Sequence, residues 1–384
     1  MLKVLRVVNL ASATGKYGGP FDTSVSQARL IAKRASTFVT LVAGALPNDA
    51  PAWGSQPFTY QFPTVRKLPR GRGFTSCMSW TLLRCLVRTI RASDIIHVSY
   101  ARELTPLLAA QLAIIFRKPL VLQPHGMLTA RTSRLHRVVD LIARPIFLRA
   151  SRIVALTVVE RSELQNWSGL RNDDLYIVIG NPLPFERKEY PVLTIKPGAR
   201  ALFIARLEPR KRVSDFLDAQ RYAATRGWDE VYEIVGPDQG DGEAVRLAAA
   251  ATDKLVYRGA VPATEIDNIL DTAGVFVLTS RNEPWGNVLV AALVKGIPVV
   301  VTESAALAQE IRQNHLGLVV PDASPEMVAE AVHVVLTEQW RSTEQEEAAR
   351  EFCRMRFDQR AIGNQLFNAY SSALGSGGMN VERP

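Results

Sequence analysis

The chain alternates short apolar runs with amphipathic stretches, and it does so twice. The runs "KVLRVVN", "TFVTLVAG", "IIHVSY", "PLVLQP", "RIVALT" and "LYIVIG" come first, with helical stretches such as 103–117 and 135–149 between most of them. After the polar, proline-rich segment "NPLPFERKEYPVLTIKPGAR" the pattern restarts with "ALFIARL", "YEIVG", "LVYRGA", "VFVLTS", "IPVVVT" and "GLVVP". Strands that read as nearly continuous apolar runs, joined through helices, belong to parallel sheets covered on both faces. The fold class expected is therefore α/β, with two Rossmann-like parallel-sheet domains. A chain of 384 residues is long for one core and comfortable for two. The expected first domain is 1–184 and the second 200–356, joined by a linker near 185–199. A last helix follows at about 357–374, then a flexible tail at 375–384. Ligands in such sheets bind beyond the carboxyl ends of the strands, so the cleft between the domains is the expected site.

Charge separates the halves. Residues 1–184 carry 24 Lys+Arg against 9 Asp+Glu, whereas residues 185–384 carry 22 against 28. The first half is thus strongly basic and the second mildly acidic, which points to two domains with different partners. Arg66, Lys67, Arg70, Arg72, Arg84, Arg88 and Arg91 follow one another with no acid between them. Within this segment, "FTSCMSWTLLRCLVRTIR" is read as a helix with Arg84, Arg88 and Arg91 on one stripe beside Phe74, Trp80, Leu83 and Ile90. Two readings stand side by side: a peripheral contact with an anionic membrane, and a packed helix with a solvated arginine face. No nucleic-acid-binding motif accompanies the charge, so nucleic acid is not expected as a partner. The longest strongly apolar uncharged run, 104–116, is too short to span a bilayer. "MLKVLRVVNL" reads as a strand and not as a signal peptide. Cys77, Cys85 and Cys353 make neither a metal spacing nor a disulfide framework, and a reducing cytosol is the simplest reading. The expected location is cytoplasmic, extending to the inner face of the plasma membrane if the basic segment binds lipid.

The chemistry is expected in the strand-end loops. In "NLASATGKYGGPFDTSVSQARLIAKR", Gly18 and Gly19 let backbone approach a phosphate or sugar just before a helix N-terminus. The spacing is not that of a dinucleotide fingerprint, and a plain glycine turn is the alternative. "IARLEPRKR" places Arg206 and Lys211 after a strand, five residues apart, as a clamp suited to a diphosphate. Arg210 and Arg212 are read as solvent-facing. No metal-ligand cluster stands near a strand end, and neither a metal nor another cofactor is expected.

The order of these segments resembles a retaining GT-B glycosyltransferase of glycosyltransferase family 4, over nearly the whole length. The carriers are "YGGPFDTSVSQARLIAKR", "VLQPHGML", "LTVVERSEL", "VIGNPLPF", "ARLEPRK" and "EPWGNVLVAALVKGIPVV". The resemblance implies two domains facing across a cleft, with the last helix packing back on the first domain. It implies that Arg206 and Lys211 neutralise the pyrophosphate of a nucleotide sugar, and that Glu283 bonds the hydroxyls of the donor sugar. The peptide groups of Trp285, Gly286 and Asn287, with Val288 beside them, would approach sugar and phosphate. Main-chain groups around Arg258 and Gly259 would receive the base. Gly19 and its neighbours would close on the pyrophosphate, and His125 would face the sugar near the reacting carbon.

One position departs from the pattern. The family's second glutamate, which binds the ribose, is replaced by Ala291. A charged hydrogen bond of this kind is worth roughly 1.5–3 kcal/mol, or about 10–100-fold in affinity. Three readings remain open: other groups hold the nucleotide, the activity is lost, or Ala291 is a substitution of an original glutamate.

The implied reaction transfers a sugar from a UDP- or GDP-sugar to a glycan or lipid-linked acceptor, with retention, in bacterial surface polysaccharide or glycolipid synthesis. Two alternatives are a GT-B-like sugar-nucleotide epimerase and a catalytically weakened sugar-nucleotide-binding protein. The first would need further acid/base groups beside His125 and Glu283. The second rests on Ala291.

Overall fold

The computed structural model describes residues 1–13, 19–67, 76–128, 134–182, 199–262, 265–337 and 342–375. Gly18, Phe74 and nearly all of the expected linker lie outside these residues, as does the expected tail beyond Gly375. The chain forms two compact units, Met1–Glu186 with Gln359–Pro384, and Arg187–Asp358.

In the first unit the strands are β1 (Leu2–Ala11), β2 (Thr37–Ala45), β3 (Thr59–Gln61), β4 (Arg66–Lys67), β5 (Cys77–Met78), β6 (Ile95–Ser99), β7 (Leu120–Gln123), β8 (Arg152–Ala155) and β9 (Tyr176–Val178). Seven of them form one parallel sheet in the order β3-β2-β1-β6-β7-β8-β9, while β4 and β5 make a separate antiparallel pair. The helices are α1 (Gly19–Ala32), α2 (Trp80–Ala92), α3 (Leu104–Ile115), α4 (Arg134–Phe147) and α5 (Val158–Ser168). β1 is buried along nearly its whole length because helices cover both faces of the sheet.

The stretch expected to be one helix from Phe74 onward is not. Ser79 caps α2, its hydroxyl accepting the Leu82 amide at 3.1 Å, and Cys77–Met78 is already paired as a strand with Arg66–Lys67. A serine ahead of an apolar-periodic run is a strong start signal, and it sets the boundary. Ile90 is buried inside α2, so the exposed stripe is Trp80, Arg84, Arg88 and Arg91.

In the second unit the strands are β10 (Arg200–Ile204), β11 (Tyr232–Val235), β12 (Leu255–Tyr257), β13 (Ala273–Leu278), β14 (Val299–Thr302) and β15 (Gly317–Val320). They form a parallel sheet in the order β12-β11-β10-β13-β14-β15. Its helices are α6 (Val213–Thr225), α7 (Gly242–Ala250), α8 (Ile266–Leu270), α9 (Asn287–Val294), α10 (Ala308–Gln313), α11 (Pro325–Thr337) and α12 (Thr343–Phe357). The strand order reverses between β10 and β13, and ligands of such sheets sit beyond the carboxyl ends of the strands at that point.

The last helix, α13 (Gln359–Gly375), lies in the first unit. Ile362, Leu366, Ala369, Tyr370 and Ala373 recur at helical spacing and are buried against the core that contains Val25, Ala28 and Ile31 of α1. Tyr370 also reaches a fully buried polar cluster. The Arg6 guanidinium, in the middle of β1, bonds the Tyr370 hydroxyl at 2.9 Å, His97 Nδ1 at 2.7 Å, and Gln27. His97, given no role from the sequence, is thereby buried and held neutral, its pKa pushed well below the usual imidazole value by burial and then by Arg6.

Candidate functional site

The loops after β10, β13 and β14 are tied together at the reversal of the strand order. After β10 the chain passes through Arg206 into a single 3-10 turn, Pro209–Lys211. Its main chain is held from the β13 loop: the Thr279 hydroxyl donates to the Arg212 carbonyl at 2.8 Å, and the Arg281 amide to the Arg210 carbonyl at 2.9 Å. The β14 loop holds the other side. The Ala306 amide donates to the Glu283 carbonyl at 2.8 Å, and Ser304 Oγ accepts the Asn282 amide at 3.0 Å.

This lacing brings Lys211 and Glu283 into a direct ion pair, Nζ to Oε2, with both side chains largely buried (12% and 7% exposed). Arg206 is different. It is half-exposed, and its guanidinium lies 3.2 Å from Glu208 and 3.4 Å from Gln239. A loosely held, solvated arginine two residues past a strand end is free to fork around an incoming anion. Arg210 faces solvent, as read from the sequence. Arg212 does not: its backbone is left-handed (φ +50°) at the start of α6, and its guanidinium pairs with Asp215 at 2.9 Å.

Two glycines permit this construction. Gly236 ends β11 with φ +152°, and a Cβ there would meet the Ala205 carbonyl oxygen at 1.7 Å, so only glycine lets the two strand ends approach. Gly286 has φ +75° at the start of α9, and among the described residues no side chain caps the first amides. The positive end of α9 is therefore left available to an anion. Trp285 is an anchor beneath that turn. It is 3% exposed, packs edge-on to Phe357 with ring centroids 5.8 Å apart, and lies under the Arg356 guanidinium at 5.1 Å. Asn287 is exposed, Val288 is half-buried, and Ala291 is buried one turn further along α9.

Gly259 has φ +70°, and its carbonyl accepts the Gly236 amide at 2.8 Å, which docks the β12 loop on the β11 end. The Arg258 side chain is occupied elsewhere: it shares the fully buried carboxylate of Glu233 with Arg200. Any contact of Arg258 with a ligand is left to its main chain.

In the first unit Gly19 opens α1. His125 is buried and left-handed (φ +54°) in the turn after β7. Its Nε2 lies 3.2 Å from Ser99 Oγ, which in turn is 3.0 Å from Ser24 Oγ. Burial, then Arg6, depress its pKa to about 3, against an opposing pull from Asn181, so the imidazole is neutral near pH 7. It can bond to a sugar but carries no charge to it.

Two carboxylates in this unit were not singled out from the sequence. Burial raises Glu103 to about 7 despite a bond from Asn9. Glu160 accepts the Gly126 amide and, at 2.6 Å, the Leu156 amide. A signal for Glu160 existed: Thr157 and Glu160 have the spacing of a helix capping box. Among the described residues, no three His, Cys, Asp or Glu side chains gather as a metal site.

The two halves match two family models, "Glycosyltransferase Family 4" over residues 32–187 and "Glycosyl transferases group 1" over residues 187–352. A phosphatidyl-myo-inositol mannosyltransferase of Mycobacterium tuberculosis is 30% identical over 190 residues, which are 47% of this chain and 49% of that one. A D-inositol 3-phosphate glycosyltransferase of Streptomyces bingchenggensis is 29% identical over 211 residues, 48% and 45% of the two chains. The chain thus spans about half the length of the curated relatives it matches. Among solved structures, Anabaena Alr3699/HepE in complex with UDP superposes with a TM-score of 0.73 at 17% identity, over 97% of this chain and all of that one. A sucrose-phosphate synthase from Thermosynechococcus elongatus gives 0.73 at 17% identity, over 98% and 100%. The fold is GT-B.

Proposed function

From the GT-B fold and the glycosyltransferase families matched by both halves, we propose that this chain is a glycosyltransferase using a nucleoside diphosphate sugar. The observation that carries the reading is the buried Lys211–Glu283 pair at the reversal of the strand order, with Arg206 loosely held beside the same turn. In the proposed reaction the bond from the anomeric carbon to the diphosphate oxygen breaks, and a bond to an acceptor hydroxyl oxygen forms. The acceptor proton passes to the leaving phosphate. Negative charge grows on that phosphate, and Arg206, Lys211 and the start of α9 are groups suited to stabilise it without reorganising. Fixed cations would carry the load that a metal carries elsewhere, so the proposal includes none. Glu283 would accept hydrogen bonds from hydroxyls of the donor sugar beside Lys211. The proposal extends to retention at the anomeric carbon, which the family resemblance implies.

UDP is the first nucleotide to try, because Alr3699/HepE was solved with UDP and with UDP-glucose. The lipid in the name of the mycobacterial relative, phosphatidyl-myo-inositol, makes a membrane-borne acceptor the first to test. That choice agrees with the basic first unit. Along α2 a shallow groove runs between Trp80, Leu83, Arg84, Val87 and Arg88, with Trp80 three-quarters exposed. Arginines around an exposed tryptophan suit an anionic bilayer surface. Among the described residues no helix is long and apolar enough to cross a membrane, so this contact would be peripheral. An assay of nucleotide release from a panel of UDP- and GDP-sugars, with and without acceptor, tests the proposal.

A further inference from the structure

The turn that carries His125 is strained, and something must hold it. Residues Pro124 to Met127 close on a bond from the Met127 amide to the Pro124 carbonyl at 3.0 Å. Both central residues are left-handed, His125 at φ +54° and Gly126 at φ +73°. Turns of this hand favour asparagine, aspartate or glycine at both positions. A histidine there is uncommon and persists only where its surroundings over-determine it.

Two ionisable side chains bond to this turn among the described residues: the Arg102 guanidinium donates to the Met127 carbonyl at 3.1 Å, and the Glu160 carboxylate accepts the Gly126 amide. Glu160 stands at the third position of α5, where a capping-box carboxylate would turn back to the N-cap amide of Thr157. Half of that box is present, since the Thr157 hydroxyl accepts the Glu160 amide at 3.1 Å. The carboxylate goes elsewhere: one oxygen to the Leu156 amide at the end of β8, the other across to Gly126. The side chain is 3% exposed. It thus pins the turn after β7 to the end of the neighbouring strand.

We propose that Glu160 is a positioning residue, whose buried carboxylate holds the left-handed turn that presents His125 to substrate. The proposal rests on the reading of this chain as a glycosyltransferase with His125 facing the donor sugar. Glu160 itself touches no reacting atom. A plain structural carboxylate would predict an effect on stability alone.

Burial pushes the Glu160 carboxyl up to about 7, with Glu163 on its own helix adding to the rise and the two amides opposing it. The polar groups facing His125 are Arg6, His97, Ser99 and Asn181. Of these Arg6 is charged and His97 neutral, and His125 is itself uncharged above about pH 3. A change in the His125 environment near pH 7 would therefore report a neighbour and not its own titration.

The test is carried out on the full chain with isotopically labelled histidine, the His125 ring signals being assigned by difference from His125→Asn. The expected result is a wild-type His125 signal that moves with a midpoint near pH 7 and does not move in Glu160→Gln. Glu160→Asp, which keeps the charge, should restore part of the movement. In turnover, Glu160→Gln should lower kcat about 10- to 100-fold with little change in KM for the nucleotide sugar. A His125 signal that is flat from pH 5 to 9 in the wild type overturns the proposal, and this arm needs no variant to fold. So does a midpoint that survives in Glu160→Gln, which would assign it to another group. A titrating signal that Glu160→Gln abolishes, in a protein that turns over no nucleotide sugar, would refute the transferase reading and leave the turn assignment standing.

Discussion

Lys211 and Glu283 are 72 residues apart in the chain and form a largely buried ion pair, each held in place by main-chain bonds from the neighbouring strand-end loop. The pair makes the clamp a structural unit as well as an electrostatic one. Lys211→Ala would leave a 7%-exposed carboxylate unpaired, at a cost of about 3–5 kcal/mol. The double variant Lys211→Met/Glu283→Gln should recover most of that loss. Urea unfolding of the three proteins measures it; equal stability of Lys211→Ala and wild type would mean that the pair is solvated in solution.

Ala291 lies buried on α9, one turn below the open helix start at Gly286. Ala291→Glu should tighten UDP or GDP binding by about 10–100-fold, the value of one charged hydrogen bond. It should also lower the stability of the ligand-free protein, because the new carboxylate has no partner until nucleotide arrives. Calorimetric titration together with melting curves reads both effects. Weaker nucleotide binding in the variant would show that this site has been rebuilt around alanine.

The strands were legible because parallel strands covered on both faces must be apolar along their length; "VFVLTS" and "IPVVVT" are β-branched-rich runs of that kind. The short pair Arg66–Lys67 with Cys77–Met78 was not, since two-residue strands carry no periodicity. Nothing in "KVLRVVN" marks Arg6 as buried. Its burial depends on Tyr370, 364 residues away, and no local pattern encodes that. Arg206, Lys211 and Glu283 could be picked out by motif. What Lys211 and Glu283 do to each other could not, because pairing across 72 residues is a property of the folded loops.

His125 makes the first unit acid-sensitive. Its pKa is about 3 when folded and near the ordinary 6.5 when unfolded, so the unfolded chain binds the extra proton between these values. Stability from this group is present above pH 6.5 and is lost as pH falls toward 3. Between pH 7 and 5 the wild type should lose about 2 kcal/mol that His125→Asn does not. Denaturant unfolding at the two pH values gives the difference. An identical pH slope in the two proteins would place a charged His125 in the native state.

The α2 groove should bind vesicles rich in phosphatidylglycerol, in a salt-sensitive manner, through Arg84, Arg88 and Arg91 around Trp80. Reversal of the three arginines to glutamate should release the protein in co-sedimentation. Binding that is equally strong to neutral vesicles, or that survives the reversal, would exclude this surface.

Arg206 provides the most direct test of the transferase reading, because it is half-exposed and its guanidinium, among the described residues, meets Glu208 at 3.2 Å and Gln239 at 3.4 Å. Its removal should cost less than about 1 kcal/mol of stability. The decisive measurement is nucleotide release from a panel of UDP- and GDP-sugars in the presence of acceptor, for wild type and Arg206→Ala side by side. The account predicts that wild type releases nucleoside diphosphate from one donor and that Arg206→Ala, equally folded, is slower by at least about 100-fold. Turnover in Arg206→Ala equal to that of wild type would contradict it, as would no release from any donor in the panel.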